Sequence, residues 1–330
     1  MRAARCEEYG GPEDVVIRDI PSPEVTPGRV LVDVAAAAVN YPDLLLIANK
    51  YQVSAPLPFT PGSEFAGRVA AVGEGVTGLS AGDLVYGSNF TGAMAEQVLV
   101  PARAVAPVPP GLSLTEAAGF RVTYLTAHHS LVTVGELRPG QWVVVLGAAG
   151  GVGTATVDVA VRLGGRVIAA ASSPERLKVC TALGAEAGID YVNEDLKQRI
   201  REITGDGADL VVDPVGDRWA EPALRAIRWG GRFVTVGYAG GDIPRIPLNI
   251  VLLKNITVRG VDLRVWTERL PQETARALQA LTELVAGGMR PAVSEVHDLA
   301  DVGTALRRVA DRLPTGKVVV RLTPDNDVTA

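Results

Sequence analysis

The densest chemistry in the sequence lies at Val143-Val144-Val145-Leu146-Gly147-Ala148-Ala149-Gly150-Gly151-Val152-Gly153. An apolar run ends in a glycine turn, and an apolar stretch to about Leu163 follows with a helical pattern. Backbone N–H groups at a helix start have no intrahelical acceptor, and the helix dipole adds positive potential there. The combination suits a phosphate. Gly150 lets the backbone approach a pyrophosphate, Gly151 and Val152 open the helix, and Gly153 lets that helix pack on the strand. Ala148 stands where the first glycine of G-x-G-x-x-G would be, so a dinucleotide site is matched in context but not at its first position. A tight turn in a glycine-rich α/β protein is the competing reading.

The next strand, Arg166–Ala171, reports which dinucleotide would fit. NAD sites place an acid about 20 residues on, at the tip of this strand, to hold the ribose 2′-hydroxyl. Here the tip reads Ala169-Ala170-Ala171-Ser172-Ser173-Pro174-Glu175-Arg176-Leu177-Lys178, with no acid at its end. Ser172, Ser173 and Arg176 instead offer the donors that a 2′-phosphate needs. NADPH is therefore expected over NADH. Ser173 also reads as a helix N-cap with Pro174 at N1. The two roles are compatible, because capping uses the oxygen and phosphate binding the hydroxyl proton.

The elements that would position these residues fall into three stretches. From Met1 to about Gly111, short β-runs such as Val30–Val34 and Ala66–Val72 are broken by Gly and Pro, which suggests a small barrel or sandwich. From Leu114 to Asn255, strands alternate with helices at the spacing of a parallel, doubly wound sheet. The last stretch begins with a strand at Ile256–Gly260, continues through a helix at Pro271–Ala286 and ends with a strand at Val318–Leu322. It is too small to stand alone. The expected fold class is α/β, a Rossmann-type doubly wound parallel sheet inserted into a mainly-β, barrel-like catalytic domain. Residues 1–118 and 256–330 would form the catalytic domain, and 119–255 the dinucleotide-binding domain.

Composition narrows the function classes. The chain has 330 residues, 47% hydrophobic and 21% charged, with a net charge of −5 and both signs interspersed. No basic block points to nucleic acid. No run reaches the roughly 20 apolar residues of a membrane span. Acidic residues between Met1 and Val16 and a missing apolar segment argue against a signal peptide, so a cytoplasmic protein is expected. Cys6 and Cys180 are far apart, and His128, His129 and His297 have no metal-ligand spacing. No metal site is expected, and no Ser-His-Asp set or carboxylate pair suggests hydrolysis.

Several segments resemble the quinone oxidoreductase (zeta-crystallin-like) branch of the medium-chain dehydrogenase/reductase superfamily. They are Val39-Asn40-Tyr41-Pro42-Asp43, Pro61–Gly67, Tyr124–Ala127, Ala148–Gly153, Asp213–Gly216, Val236–Tyr238 and Gly316–Val319. They follow the family order over nearly the whole chain. The resemblance implies a GroES-like catalytic domain, with Asn40 and Thr126 near the nicotinamide and Tyr191 near the adenosine. It implies Val215, Gly237 and Tyr238 along the cofactor cleft, and Ser173 and Arg176 at the 2′-phosphate. Tyr51 would line the substrate pocket, as a weak candidate proton donor. Asn40 also reads as a turn residue, Thr126 as a self-bonded helix residue and Tyr51 as an ordinary half-buried aromatic. The resemblance further implies a homodimer through the sheet edge near Arg232–Tyr238 and Ile256–Gly260.

Zinc-dependent alcohol dehydrogenase relatives carry a His where this chain has Ser63, a Cys in the Asn40 region and a four-cysteine lobe absent here. Without a Lewis acid, the acceptor must already be electrophilic. Quinones, the leading reading, and other conjugated carbonyls satisfy that requirement. An enone, alkenal or enoyl-thioester reductase is the alternative, and a non-catalytic NADPH-binding sensor or structural protein is the reading from another class. Asp43 and Glu64 read as structural. Two further features stand out. Arg121 replaces a Pro or small residue, as a surface arginine, a pocket wall or a site for an acidic group. Arg264-Val265-Trp266 would follow the return to the first domain, as pocket wall, subunit contact or core.

Overall fold

In the computed structural model, which describes residues 1–323, the apolar run Trp142–Leu146 is a strand buried from Val143 onward. Among the described residues it is one of six parallel strands. Their order is Ala187–Asp190, Arg166–Ala171, Trp142–Leu146, Ala208–Asp213, Ile227–Thr235 and Thr257–Gly260. Val145 lies opposite Ala169 on one side and Val212 on the other. The direction of winding reverses between Trp142–Leu146 and Ala208–Asp213, and ligands of open α/β sheets bind outside the carboxyl ends at such a point. Helices Gly151–Arg162, Pro174–Ala182, Leu196–Thr204 and Ala220–Arg225 join successive strands. Val144, Leu146, Ile168, Val211 and Phe233 belong to the core beneath them.

The register of strand Ile227–Thr235 against Ala208–Asp213 shifts between Ala208 and Leu210. One sequence expectation changes here. Thr257–Gly260, read from sequence as the start of the returning segment, pairs with Arg232–Thr235 as the outermost strand of the parallel sheet. All four of its residues are exposed. Such an edge strand carries no buried apolar face to mark its sheet, and the backbone ladder assigns it. The compact unit around this sheet is Thr123–Leu284, so Arg264, Val265 and Trp266 also belong to it, in the helix Leu263–Arg269.

The other unit comprises Met1–Val122 and the described residues from Val285 onward. Residues 324–330, the end of the expected catalytic domain, lie outside the described residues. Seven strands form its main sheet, with Lys317–Arg321 beside Arg29–Val39 and Glu64–Val72 on the other side of that strand. Val318 faces Val39 across the ladder, and Ala38 faces Glu64. Val32, Val34, Phe65, Val85, Val318 and Val320 share its core. Among the described residues no helix is long and apolar enough to cross a membrane.

Candidate active site

In the first unit, strand Arg29–Val39 ends at Asn40, whose extended backbone (φ −118°) starts the helix Tyr41–Ile47. Pro42 suits that first turn, and Asp43 Oδ2 accepts the Asn40 N–H at 2.8 Å. Asn40 Nδ2 donates to Glu64 Oε1 at 3.0 Å and to Ser63 Oγ at 3.3 Å. Lys317 Nζ donates to Asn40 Oδ1 at 2.7 Å and to the Val39 carbonyl at 3.1 Å, and pairs with Glu64 Oε1 at 2.8 Å. Glu64 Oε2 accepts the Val122 N–H at 2.9 Å. Asp43, Glu64 and Lys317 are all buried. Burial pushes the Asp43 carboxyl up to about 7, against the lowering effects of the Asn40 N–H and the Lys317 ammonium. The Asn40 amide is thereby locked in one orientation, with its oxygen toward a cation and its nitrogen toward a carboxylate. Tyr51 is half-buried and packs against the core cluster of this unit.

In the second unit, Gly147 turns the chain at φ +56°, and Gly150 precedes the helix Gly151–Arg162 in an extended conformation. A side chain at Gly153 would put its Cβ 2.1 Å from the Gly147 carbonyl oxygen. At Gly150 the nearest atom would be 3.4 Å away, so the outer side of the turn is open. Gly151 and Val152 begin the helix and are only half-buried. This is the cradle a pyrophosphate needs, formed by a close helix–strand contact on one side and an accessible backbone on the other.

The neighbouring turns converge on the same sheet end. Ser173 caps Pro174–Ala182, accepting the Arg176 N–H at 3.4 Å, and Ser172 is exposed beside it. Asp213 Oδ1 accepts the Val215 and Gly216 N–H groups, each at 2.8 Å, and burial pushes its carboxyl up to about 6. A Cβ on Gly147 would meet Val215 Cγ2 at 2.6 Å, and one on Gly216 would meet Tyr238 Cδ1 at 2.8 Å. Gly237 has only the Pro214 carbonyl oxygen near its Cβ direction, at 3.8 Å. Thr126 is buried in the helix Arg121–His128, which Tyr124 anchors by donating to Asp158 Oδ2 at 3.1 Å. The Tyr191 ring lies 4.5 Å from that of Trp219, and the Arg218 guanidinium covers the other ring at 4.5 Å. A groove of about 890 Å³ opens beside them, lined by Asp217, Arg218, Trp219, Ile243 and Arg245 among others. It does not include the glycine turn.

Sequence reasoning missed two participants, Lys317 and Trp219, and left Trp266 open between three readings. Lys317 was readable only as part of a closing strand, although a lysine ahead of three valines is the kind of exception that marks an internal charge. Trp219 gave no signal for stacking on Tyr191. Trp266 lies against His129, ring centroids 5.0 Å apart, where the helix loosens into a π-turn at His129–Thr133. That makes it a packing partner within the second unit.

The comparisons agree with this architecture. The model of the alcohol dehydrogenase GroES-like domain matches residues 26–110, and the model described as zinc-binding dehydrogenase matches residues 151–283. The quinone oxidoreductase-like protein 2 homolog of Nematostella vectensis is 37% identical over 97% of this chain and 88% of its own length. The quinone oxidoreductase of Thermus thermophilus, solved also as its complex with NADPH, is 36% identical with a TM-score of 0.85, covering 98% of this chain and 100% of its own. The Escherichia coli quinone oxidoreductase, complexed with NADPH, is 26% identical with a TM-score of 0.92, covering 98% and 100%. Fold and site together define a medium-chain dehydrogenase/reductase. Within that superfamily, the chain belongs to the quinone oxidoreductase-like family.

Proposed function

We propose that this protein is an NADPH-dependent reductase that delivers hydride to quinones or other conjugated carbonyl acceptors without zinc. The observation that carries the reading is the tip of Arg166–Ala171, the strand paired with Trp142–Leu146, where Ser172, Ser173 and Arg176 follow with no acid at the strand end. In this reading the N–H groups of Gly151, Val152 and Gly153 hold the pyrophosphate, and Gly150, whose own N–H donates to the Gly147 carbonyl, lets it approach the backbone. Ser172, Ser173 and Arg176 hold the 2′-phosphate, and Tyr191 flanks the adenosine. Val215, Gly237 and Tyr238 line the remaining cofactor path, while Asn40 and Thr126 border the nicotinamide. When bound, NADPH supplies the hydride from C4 of its nicotinamide, and the protein contributes orientation and exclusion of water. Tyr51 lines the acceptor pocket and returns the proton.

The zinc-free part rests on donor chemistry. Asn40 and Ser63 supply an amide and a hydroxyl where thiolate and imidazole ligands would be needed, and that amide is already committed to Glu64 and Lys317. The two buried free cysteines, Cys6 and Cys180, fit the cytoplasmic setting of this reading.

Steady-state NADPH oxidation with ortho- and para-quinones, enones, alkenals and enoyl-CoA esters tests the proposal, alongside elemental analysis for zinc. Turnover strongest with quinones and no stoichiometric zinc are expected. Tight NADPH binding without turnover would leave a nucleotide-binding sensor. Arg176→Ala should raise the KM for NADPH about tenfold or more while moving that for NADH little. Equal effects on both cofactors would defeat the 2′-phosphate assignment.

A homodimer through the outer edge of Thr257–Gly260 is part of the same proposal. That strand is exposed, as are Leu248, Leu252 and Leu253 on the preceding helix. An unprotected edge with apolar neighbours favours pairing with a second copy. Light scattering should give a dimer mass, and Val258→Lys should give monomer. A wild-type monomer at micromolar concentration would overturn this.

A further inference from the structure

We infer that Arg121 recognises an anionic group on the acceptor, so that the preferred substrates are conjugated carbonyls bearing a carboxylate, sulfonate or ionised hydroxyl. The inference rests on the reductase reading and deepens it. Arg121 opens the helix Arg121–His128 between Phe120 and Val122, and only 4% of it is exposed. Its Nε donates to Ser88 Oγ at 3.1 Å, and its guanidinium lies 5.9 Å from the centre of the Tyr86 ring. Among the described residues, its enclosed Nη1 has no hydrogen-bond partner.

A guanidinium has five donors and no means of shedding its charge, so an enclosed one needs a carboxylate or its equivalent. Glu64 is the carboxylate whose charge acts on Arg121. Its oxygens are already engaged, Oε1 by Lys317 Nζ and Asn40 Nδ2, and Oε2 by the Val122 N–H. Asp43 carries only part of a negative charge near neutrality, because burial pushes its carboxyl up to about 7. Two buried cations, Lys317 and Arg121, therefore share one committed carboxylate. An anion is missing from the balance. A planar oxyanion matches the guanidinium fork. Glu64 accepts from Asn40 and its charge also reaches Arg121, which puts the unpartnered donor in the same part of this unit as the residue assigned to the nicotinamide, where the acceptor must meet the hydride.

The test compares 1,4-naphthoquinone-2-sulfonate with 2-methyl-1,4-naphthoquinone in wild type, Arg121→Met and Arg121→Lys. The anionic-to-neutral ratio of kcat/KM should fall about 10- to 100-fold in Arg121→Met, the worth of one charge-assisted contact. Arg121→Lys should keep most of the ratio. By calorimetry, NADP⁺-loaded wild type should bind 2-naphthoate but not 2-naphthamide, and Arg121→Met should bind neither. The Met variant should also melt no lower than wild type, because it removes an unpaired buried cation.

An unchanged ratio, equal naphthoate binding by the Met variant or its absence in wild type would overturn the inference. So would a loss confined to NADP⁺ affinity, since the anion would then belong to the cofactor. A lower melting temperature with an unchanged ratio would make Arg121 structural. If Arg121→Met is insoluble, Arg121→Gln carries the same comparisons. If wild type reduces neither quinone, the reductase reading fails, and the naphthoate pair still decides whether Arg121 binds anions.

Discussion

Lys317→Ala should cost the fold about 3–5 kcal/mol, measured as a lower urea midpoint at constant slope. The ammonium is 4% exposed and donates to Glu64, Asn40 and the Val39 carbonyl, while Glu64 is fully buried. Deleting it leaves a carboxylate with no compensating charge in contact, and that residual charge is the main source of the penalty. Glu64→Gln combined with Lys317→Met should therefore recover much of the loss from Lys317→Ala, because no enclosed charge then remains on either partner. A single-variant cost below about 1 kcal/mol would show that the pair is solvated in solution.

The pH dependence supplies a second readout. Asp43 has a folded value of about 7 against an ordinary 3.8. Its folded value is raised, so the stability from this carboxyl is complete below about pH 4 and is lost as pH rises through 7. Lys317 opposes the rise. Without that ammonium the decline should continue to higher pH than in wild type, and Asp43→Asn should flatten it.

Much of the parallel sheet was legible because its signals are local. The run Trp142–Leu146, the glycine turn and the capped helix after Ser173 each declare themselves within a dozen residues. Thr257–Gly260 was legible as a strand but not as a member of that sheet, since an exposed edge has no alternation to read. The charged network around Asn40 was illegible for a different reason. Lys317 comes from the end of the chain and Glu64 from its first quarter, and only the antiparallel pairing of Lys317–Arg321 and Glu64–Val72 with one shared strand brings them together. Arg121 could be noticed from sequence as a departure, but its burial depends on Tyr86 and Ser88 from another strand.

Gly153→Ala and Gly150→Ala should have opposite consequences, although the two glycines lie in the same turn. A Cβ at position 153 would sit 2.1 Å from the Gly147 oxygen, 2.6 Å from the Ala148 carbonyl carbon and 2.7 Å from its Cα. All three are backbone atoms at the strand–helix junction, with no flexible side chain to move aside. Relief requires pushing the helix Gly151–Arg162 off the sheet that carries Val144 and Leu146, at a cost of about 3 kcal/mol or more. Gly150 has φ −82° and ψ 177°, which any residue adopts, and its nearest neighbour would be 3.4 Å away. Gly150→Ala should therefore melt close to wild type, yet its methyl group would project where the pyrophosphate must approach. NADPH affinity, followed by fluorescence titration, should fall about tenfold or more. A Gly150→Ala protein that binds NADPH as wild type does would remove the phosphate cradle from this turn. A stable Gly153→Ala protein would show instead that the helix can ride higher on the sheet than its contacts imply.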